Sequence, residues 1–107
     1  MSAGDSLSGH QFDPSAINRI QRVSPKWIME NLKPSDDPTW KANRRHIEED
    51  HFSQYPEHWD EFRQSIRQHG VRRPITVSGD TVMNGHHRVI VAADEDVDTI
   101  PVRALRK

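Results

Sequence analysis

The chain has 107 residues, a formal net charge of −1 and no cysteine. This length predicts a single domain, the missing cysteine excludes disulfides and thiolate chemistry, and the charge excludes a polybasic protein that coats nucleic acid. No apolar run approaches the roughly 20 residues of a membrane helix. We therefore expect a cytoplasmic chain with no membrane partner, and the oligomeric state stays open.

The first 15 residues, MSAGDSLSGHQFDPS, are rich in Ser, Gly and Asp and show no apolar periodicity. Such a composition is typical of a segment that does not pack. We predict a flexible tail over residues 1–15 and a folded domain over residues 16–107.

The segment that follows the tail carries weak signals. Apolar residues at 17, 20 and 23 favour a helix, and Ser24-Pro25 is a typical helix start that leads into a short turn or strand. Residues 35–52 are polar with isolated aromatics, which predicts a long loop with one helical turn near 46–51.

The second half gives clearer patterns. Trp59, Phe62 and Ile66 recur at helical spacing, with Pro56 before them and Gly70 after them. Proline is typical of a first helical turn and glycine of a helix end, so this spacing predicts a helix.

Two strands and a second helix are predicted next. Apolar alternation over 71–77 and again over 81–83, with a Ser-Gly-Asp turn between them, predicts a β-hairpin. Residues 87–94 are then predicted to form a helix, and residues 99–105 close the domain as a strand, which Pro101 would place at or near an edge. The order predicts a compact α+β domain with a small mixed sheet and helices packed on it.

The sequence Gly85-His86-His87-Arg88 falls where the hairpin leads into the second helix. The first turn of a helix has unpaired N–H groups, and glycine lets a phosphate or carboxylate approach them. Arginine adds a bidentate donor, and histidine donates hydrogen bonds or transfers a proton near neutral pH. The alternative stays open that Gly85 only permits the turn and His87 caps the core.

The downstream sequence resembles the ParB/sulfiredoxin domain family over residues 58–105. The matching motifs are Ser65-Ile66, His69-Gly70-Val71, Pro74-Ile75, Val77, Gly85, His87-Arg88, Ala92-Ala93 and Ile100-Pro101-Val102. The upstream segments LKPSD and NRRHI resemble the family's first strand and its arginine-containing segment, which includes Arg44.

The resemblance implies a nucleotide site. The glycine–arginine turn of the family binds the nucleotide phosphates, which assigns that role to Gly85, His86, His87 and Arg88. The segment beside the base corresponds to Gly70, Val71, Arg72, Arg73 and Pro74. The resemblance implies CTP or ATP with Mg²⁺ as the ligand, and phosphoryl chemistry would make His86 and His87 the catalytic residues.

The departures from the family limit its activities. A sulfiredoxin needs a cysteine next to the glycine, so that activity is excluded. No helix-turn-helix segment follows the last predicted strand, so we expect any DNA binding to be weak and electrostatic, through Arg63, Arg67, Arg72 and Arg73. The seven histidines do not show zinc-site spacing, and no metal site is predicted.

Three functions remain open at this point. The first is a nucleotide-binding domain in DNA transactions, as a partition-like or nuclease-like accessory protein of phage or plasmid type. The second is a small metabolite phosphotransferase or nucleoside triphosphate hydrolase without nucleic acid. The third is a protein-interaction module that has kept the fold and lost the ligand.

Overall fold

The computed structural model describes residues 12–52, 54 and 56–106. Within this part of the chain it contains four α-helices and a five-stranded sheet, which confirms the predicted compact α+β fold. The strands are β1 (Ile20–Val23), β2 (Lys33–Pro34), β3 (Ile75–Ser78), β4 (Thr81–Asn84) and β5 (Ile100–Leu105). The helices are α1 (Pro25–Asn31), α2 (Trp40–Ile47), α3 (Pro56–His69) and α4 (His86–Asp94), with a π-helical turn (Glu48–Phe52) after α2.

The sheet is mixed, with the strand order β1-β5-β3-β4-β2. Strands β3 and β4 form the predicted antiparallel hairpin, although β3 begins at Ile75 and not at residue 71. Strand β5 pairs parallel with β3, and β2 pairs parallel with β4. The largest fully buried side chains lie on these strands and on α1 and α4, and they include Ile28, Ile75, Ile90 and Ile100. This core fixes α4 against the sheet and so positions the turn that precedes it.

The predicted helix over residues 17–23 is wrong, because Ile20–Val23 form β1. Strand β1 pairs antiparallel with β5, with Ile20 opposite Arg103 and Val23 opposite Ile100. Val23 is fully buried whereas Ile20 is half exposed. Pairing with a strand that lies far along the chain decides the conformation here, and the weak helical spacing does not.

The segment predicted as a long loop contains α2. Thr39 caps this helix, since its side-chain oxygen accepts a hydrogen bond from the Ala42 N–H at 3.1 Å. Trp40, Asn43 and Ile47 are buried along one face. Residues 48–52 continue it as the π-helical turn, so the single predicted helical turn near 46–51 is longer and begins earlier.

Two smaller expectations concern α1 and β5. Ser24 caps α1 as predicted, but the segment continues as a helix to Asn31 and does not form a strand. Strand β5 lies between β1 and β3, one strand in from the edge, which agrees with the position at or near an edge predicted from Pro101. Pro101 is tolerated because it pairs only with Arg22 of β1, and the ladder with β3 begins at Val102.

The boundary of the folded part lies closer to the N-terminus than residue 16. Phe12 is buried in the hydrophobic core, and the Asp13 side chain accepts hydrogen bonds from the Ser15 N–H and hydroxyl. Residues 12–15 of the predicted tail therefore belong to the domain. Residues 1–11, the rest of that prediction, and Lys107 lie outside the described residues. No helix among the residues described is long and apolar enough to cross a membrane.

Candidate anion site at the N-terminus of the last helix

The turn before α4 requires glycine. Gly85 has a φ of 98°, in the left-handed region, and a Cβ added to it would lie 2.4 Å from Cγ2 of Ile75. Helix α4 begins at His86, one residue earlier than predicted, with Gly85 as its N-cap. No side chain caps the helix, and an uncapped helix N-terminus is a typical position for a bound anion.

A cavity of about 680 Å³ opens over this turn. Residues 84–88 form one side of it, and Trp59 and Phe62 of α3 form another together with Met83. Met83 is 48% exposed, although it is a large apolar side chain. The cavity therefore combines an uncapped helix N-terminus with an apolar wall, and small-molecule sites usually combine a few polar groups with an apolar lining.

Two further cavities adjoin the first and differ in charge. One, of about 430 Å³, shares Asp36 and both histidines with the first cavity and adds Asp37 and Asp50. The other, of about 280 Å³, shares Phe62 and Arg88 with the first cavity and adds the segment 69–73, with its two arginines. The site is thus acidic on one side of the α4 N-terminus and basic on the other.

His86 is buried and joins three elements. Its Nε2 lies 3.0 Å from the carbonyl oxygen of Val82 and 3.1 Å from the backbone nitrogen of Ser35. The Ser35 N–H also donates to the Val82 carbonyl at 3.0 Å, so the tautomer of His86 decides whether Nε2 accepts from Ser35 or donates to Val82. The other ring nitrogen, Nδ1, lies 3.7 Å from Oδ2 of Asp36 at the cavity surface.

His87 has different surroundings. It is half-buried, and its ring packs edge-on against Trp59, with the ring centroids 5.9 Å apart. The ring of His86 contacts Trp40 of α2 instead, at 5.8 Å. The two predicted catalytic histidines therefore contact different helices, and His86 lies beside the carboxylate of Asp36.

Arg88 connects the turn to the segment Gly70–Pro74. Its Nη1 donates to the backbone carbonyls of Arg73 at 2.8 Å and Pro74 at 3.2 Å. Burial, with a smaller contribution from the nearby Arg73 charge, lowers the pKa of Arg88. Among the described residues no carboxylate pairs with Arg88, Arg72 or Arg73, and Arg88 keeps Nε and Nη2 as free donors.

The segment Gly70–Pro74 does lie beside the turn, as the predicted base-side wall requires. Gly70 has a φ of 72° and closes α3 by donating its N–H to the Ile66 carbonyl. Val71 is buried, whereas Arg72 and Arg73 are exposed. The structure thus brings this segment and Gly85–Arg88 into one surface.

Three predicted arginines lie elsewhere. Arg44 forms a bidentate pair with Asp94, at 2.7 and 2.8 Å, at the opposite end of α4 from Gly85. Arg63 and Arg67 both contact Glu95, at 3.1 and 2.6 Å. The positive charge of all three is already paired within the chain, which weakens their assignment to nucleotide or DNA phosphates.

Sequence reasoning missed the acidic side of the site. The side chain of Asp37 is only 5% exposed, and it contacts Nδ1 of His46 at 2.6 Å and accepts from Nδ2 of Asn43 at 2.9 Å. The N-cap signal of Thr39, together with Asn43 and His46 three residues apart, would have predicted a helix that faces the Ser35–Asp37 segment. Within the described part of the chain, no group of three or more metal-ligating side chains is arranged to hold an ion.

Comparisons with known proteins assign the chain to no family. No protein-family model matches the chain, and searches of curated proteins and of solved structures found no match. The resemblance to the ParB/sulfiredoxin family therefore stays a prediction, and the site is argued from its own geometry.

Proposed function

We propose that this protein binds a nucleotide phosphate at Gly85–Arg88, as a ParB/sulfiredoxin-like cytoplasmic domain that acts in DNA transactions. One observation carries the proposal: an uncapped helix N-terminus stands beside Arg88 and Arg73, two guanidinium groups with no carboxylate partner among the described residues. Cations without a carboxylate partner, next to a helix N-terminus that no side chain caps, are stabilised by a bound anion.

A nucleotide also suits the rest of the cavity. The apolar wall of Phe62 and Met83 offers a planar group a surface beside the phosphates. Mg²⁺ keeps several waters and takes one or two carboxylates along with phosphate oxygens. Asp36 lines the cavity with its side chain 74% exposed, so it fits such a partial coordination shell.

Calorimetry tests the proposal directly. CTP, ATP, ADP and GTP are titrated with Mg²⁺ into the full chain, alongside inorganic phosphate and pyrophosphate. We expect at least one nucleotide to bind more tightly than pyrophosphate, because the apolar wall contributes to its affinity. If none of these anions binds, the nucleotide proposal fails and the interaction-module function remains.

The DNA part of the proposal rests on few charges. Arg72 and Arg73 are exposed and unpaired among the described residues, whereas Arg63 and Arg67 share Glu95. Non-specific affinity on the order of 10⁻⁴–10⁻⁶ M is expected at physiological salt. Anisotropy titrations of a short duplex at two salt concentrations test it, and binding that does not fall with added salt contradicts it.

A phosphotransferase or triphosphate hydrolase is the second candidate function. His86 favours it, because Nε2 lies within hydrogen-bond distance of the Val82 carbonyl and Nδ1 stands beside Asp36, where it could accept a proton from an attacking hydroxyl or water. His86→Gln keeps an amide donor in reach of Val82 but removes the base. Loss of phosphate release with unchanged nucleotide affinity in this variant supports a catalytic His86.

A further inference from the structure

Helix α4 ends in three consecutive acidic residues, Asp94, Glu95 and Asp96, which we name the acidic turn. The C-terminus of a helix carries partial negative charge, so acidic side chains there are unfavourable unless cations approach them. Asp96 also has a φ of 56°, a conformation that non-glycine residues adopt at a cost. The chain therefore needs compensating contacts at this end of α4.

Those contacts come from the three other helices, one helix for each acidic residue. Lys26 of α1 reaches Asp96 at 2.6 Å, and Arg44 of α2 binds Asp94 through two hydrogen bonds. Arg63 and Arg67 of α3 both bind Glu95, as described above. The acidic turn is thus a single point at which α1, α2 and α3 are all tied to α4.

Two of the three tied helices form walls of the candidate site. Helix α2 contributes Asn43 and His46 to the cavity of about 430 Å³ that contains Asp37 and Asp50. Helix α3 contributes Trp59 and Phe62 to the cavity of about 680 Å³ over the Gly85 turn. Helix α1 contributes no residue to either of these cavities. Because α4 supplies the anion-binding turn, the ties fix α2 and α3 relative to that turn.

We infer that Asp94 and Glu95 are positioning residues for the candidate site, holding its two helical walls in place from the far end of α4. They touch no part of the cavity, which lies roughly 13 Å away along a nine-residue helix. The effect on ligand affinity rests on the proposed function, whereas the effect on the walls does not.

The three ties differ in burial, which provides a control. The Lys26–Asp96 pair is 61% and 79% exposed, and such pairs contribute little to stability. The Arg44–Asp94 pair is 33% and 38% exposed, and the Glu95 side chain is only 7% exposed. Asp96→Asn therefore removes the same kind of contact from the same turn without loosening a wall of the site.

The chain carries one tryptophan on each tied helix: Trp27 on α1, Trp40 on α2 and Trp59 on α3. Labelling with 5-fluorotryptophan gives one fluorine resonance for each helix. We expect Asp94→Asn to shift the Trp40 resonance most and Glu95→Gln to shift the Trp59 resonance most. Asp96→Asn should affect Trp27 alone.

Nucleotide affinity is then measured on the same variants, beside their melting temperatures. Asp94→Asn and Glu95→Gln should weaken binding roughly 3- to 30-fold, the range by which residues outside a site modulate it. Asp96→Asn should bind as the wild type does. Should Glu95→Gln fail to fold, Arg67→Met removes part of the same tie from an exposed position.

The outcomes separate the inference from the proposed function. Unmoved Trp40 and Trp59 resonances overturn the inference, and so does an equal loss of affinity in Asp96→Asn. If the wild type binds none of the nucleotides or anions tested, the proposed function fails, and the resonances alone still decide whether the acidic turn positions the walls.

Discussion

The two ends of α4 differ in how their charged groups are paired. At its C-terminus every acidic residue of the turn meets a cation from another helix. At its N-terminus no side chain caps the helix, and the hydrogen bonds of Arg88 to described residues go to backbone carbonyls. This difference between the two ends points to the N-terminal end of α4 as the place where an anionic ligand would fit.

Arg44 and Arg88 show the same contrast in a single residue type. The carboxylate of Asp94 raises the pKa of Arg44 through a hydrogen bond, whereas burial lowers the pKa of Arg88. The sequence assigned both arginines to phosphate binding. Arg44 is neutralised by Asp94, whereas Arg88 has no carboxylate partner among the described residues.

The largest effect is expected at the glycine that begins α4. Gly85→Ala places a Cβ against Ile75 in a left-handed conformation, and we expect it to lower the free energy of unfolding by about 2–5 kcal/mol. Urea denaturation measures this change. Gly70→Ala is the matched control, because its φ of 72° is similar but nothing lies within 4 Å of the added atom. It should cost only about 1–2 kcal/mol, and an equal loss in both variants would show that Ile75 is not the cause.

The next effect concerns the unpaired arginine. Arg88→Ala should weaken nucleotide or phosphate binding by about 1.5–3 kcal/mol, the worth of a charge-assisted hydrogen bond. Calorimetry beside thermal melts separates affinity from folding. Arg19→Ala, at an exposed position next to the opposite edge of the sheet, removes the same charge and should bind as the wild type does. Equal affinities for all three proteins would remove Arg88 from the site.

A smaller effect is expected at the C-terminal end of α4, where Asp94 is paired with Arg44. A double-mutant cycle of Arg44→Ala and Asp94→Ala should give a coupling energy of about 0.5–1 kcal/mol, because the pair is bidentate but one-third exposed. Denaturation curves of the four proteins give this energy. A coupling energy of zero would mean that hydrophobic packing alone holds α2 against α4.

The smallest effect is a dependence of stability on pH. Hydrogen bonds from Arg67 and then Arg63 lower the pKa of Glu95 from its ordinary value of 4.5, and Lys26 lowers the pKa of Asp96 from 3.8. Since folding depresses both pKa values, the stabilisation is complete above the unfolded values and is lost as the pH falls through the folded ones. Melting temperatures should therefore fall below about pH 4.5, and by less in Glu95→Gln. Asp98→Asn, whose carboxylate pairs with no described residue, is the control and should follow the wild type.

The predictable parts of the molecule are those with local signals. The α3 periodicity, the β3–β4 hairpin and the glycine before α4 all follow from neighbouring residues, and the fold class follows from their order. Strand β1 could not be predicted, because Ile20–Val23 become a strand only by pairing with β5. Helix α2 carried a cap in Thr39 but few apolar residues, so its burial depends on contacts that are distant in sequence.

The site divides in the same way. Gly85–Arg88 and Gly70–Pro74 were found as motifs, and the Arg88 contacts with two backbone carbonyls confirm that they are neighbours. Asp36, Asp37 and Asn43 reach the site only because β2 pairs with β4 and α2 folds back over it. Ion pairs such as Arg63–Glu95 join residues 32 positions apart, and nothing local distinguishes a paired arginine from a free one.

The pairing of β1 with β5 has a consequence for how the domain is made. Residue 20 pairs with residue 103. During synthesis β1, the first strand of the described residues, therefore cannot pair until β5, the last of them, has left the ribosome. The β3–β4 hairpin and α3 can form earlier, because their contacts are close in sequence. Pairing β1 with β5 closes a loop that contains almost the whole domain, and that closure costs conformational entropy. During synthesis, Val23 and its neighbours are therefore exposed until β5 arrives, and that interval is when the nascent chain is most open to chaperones and proteases.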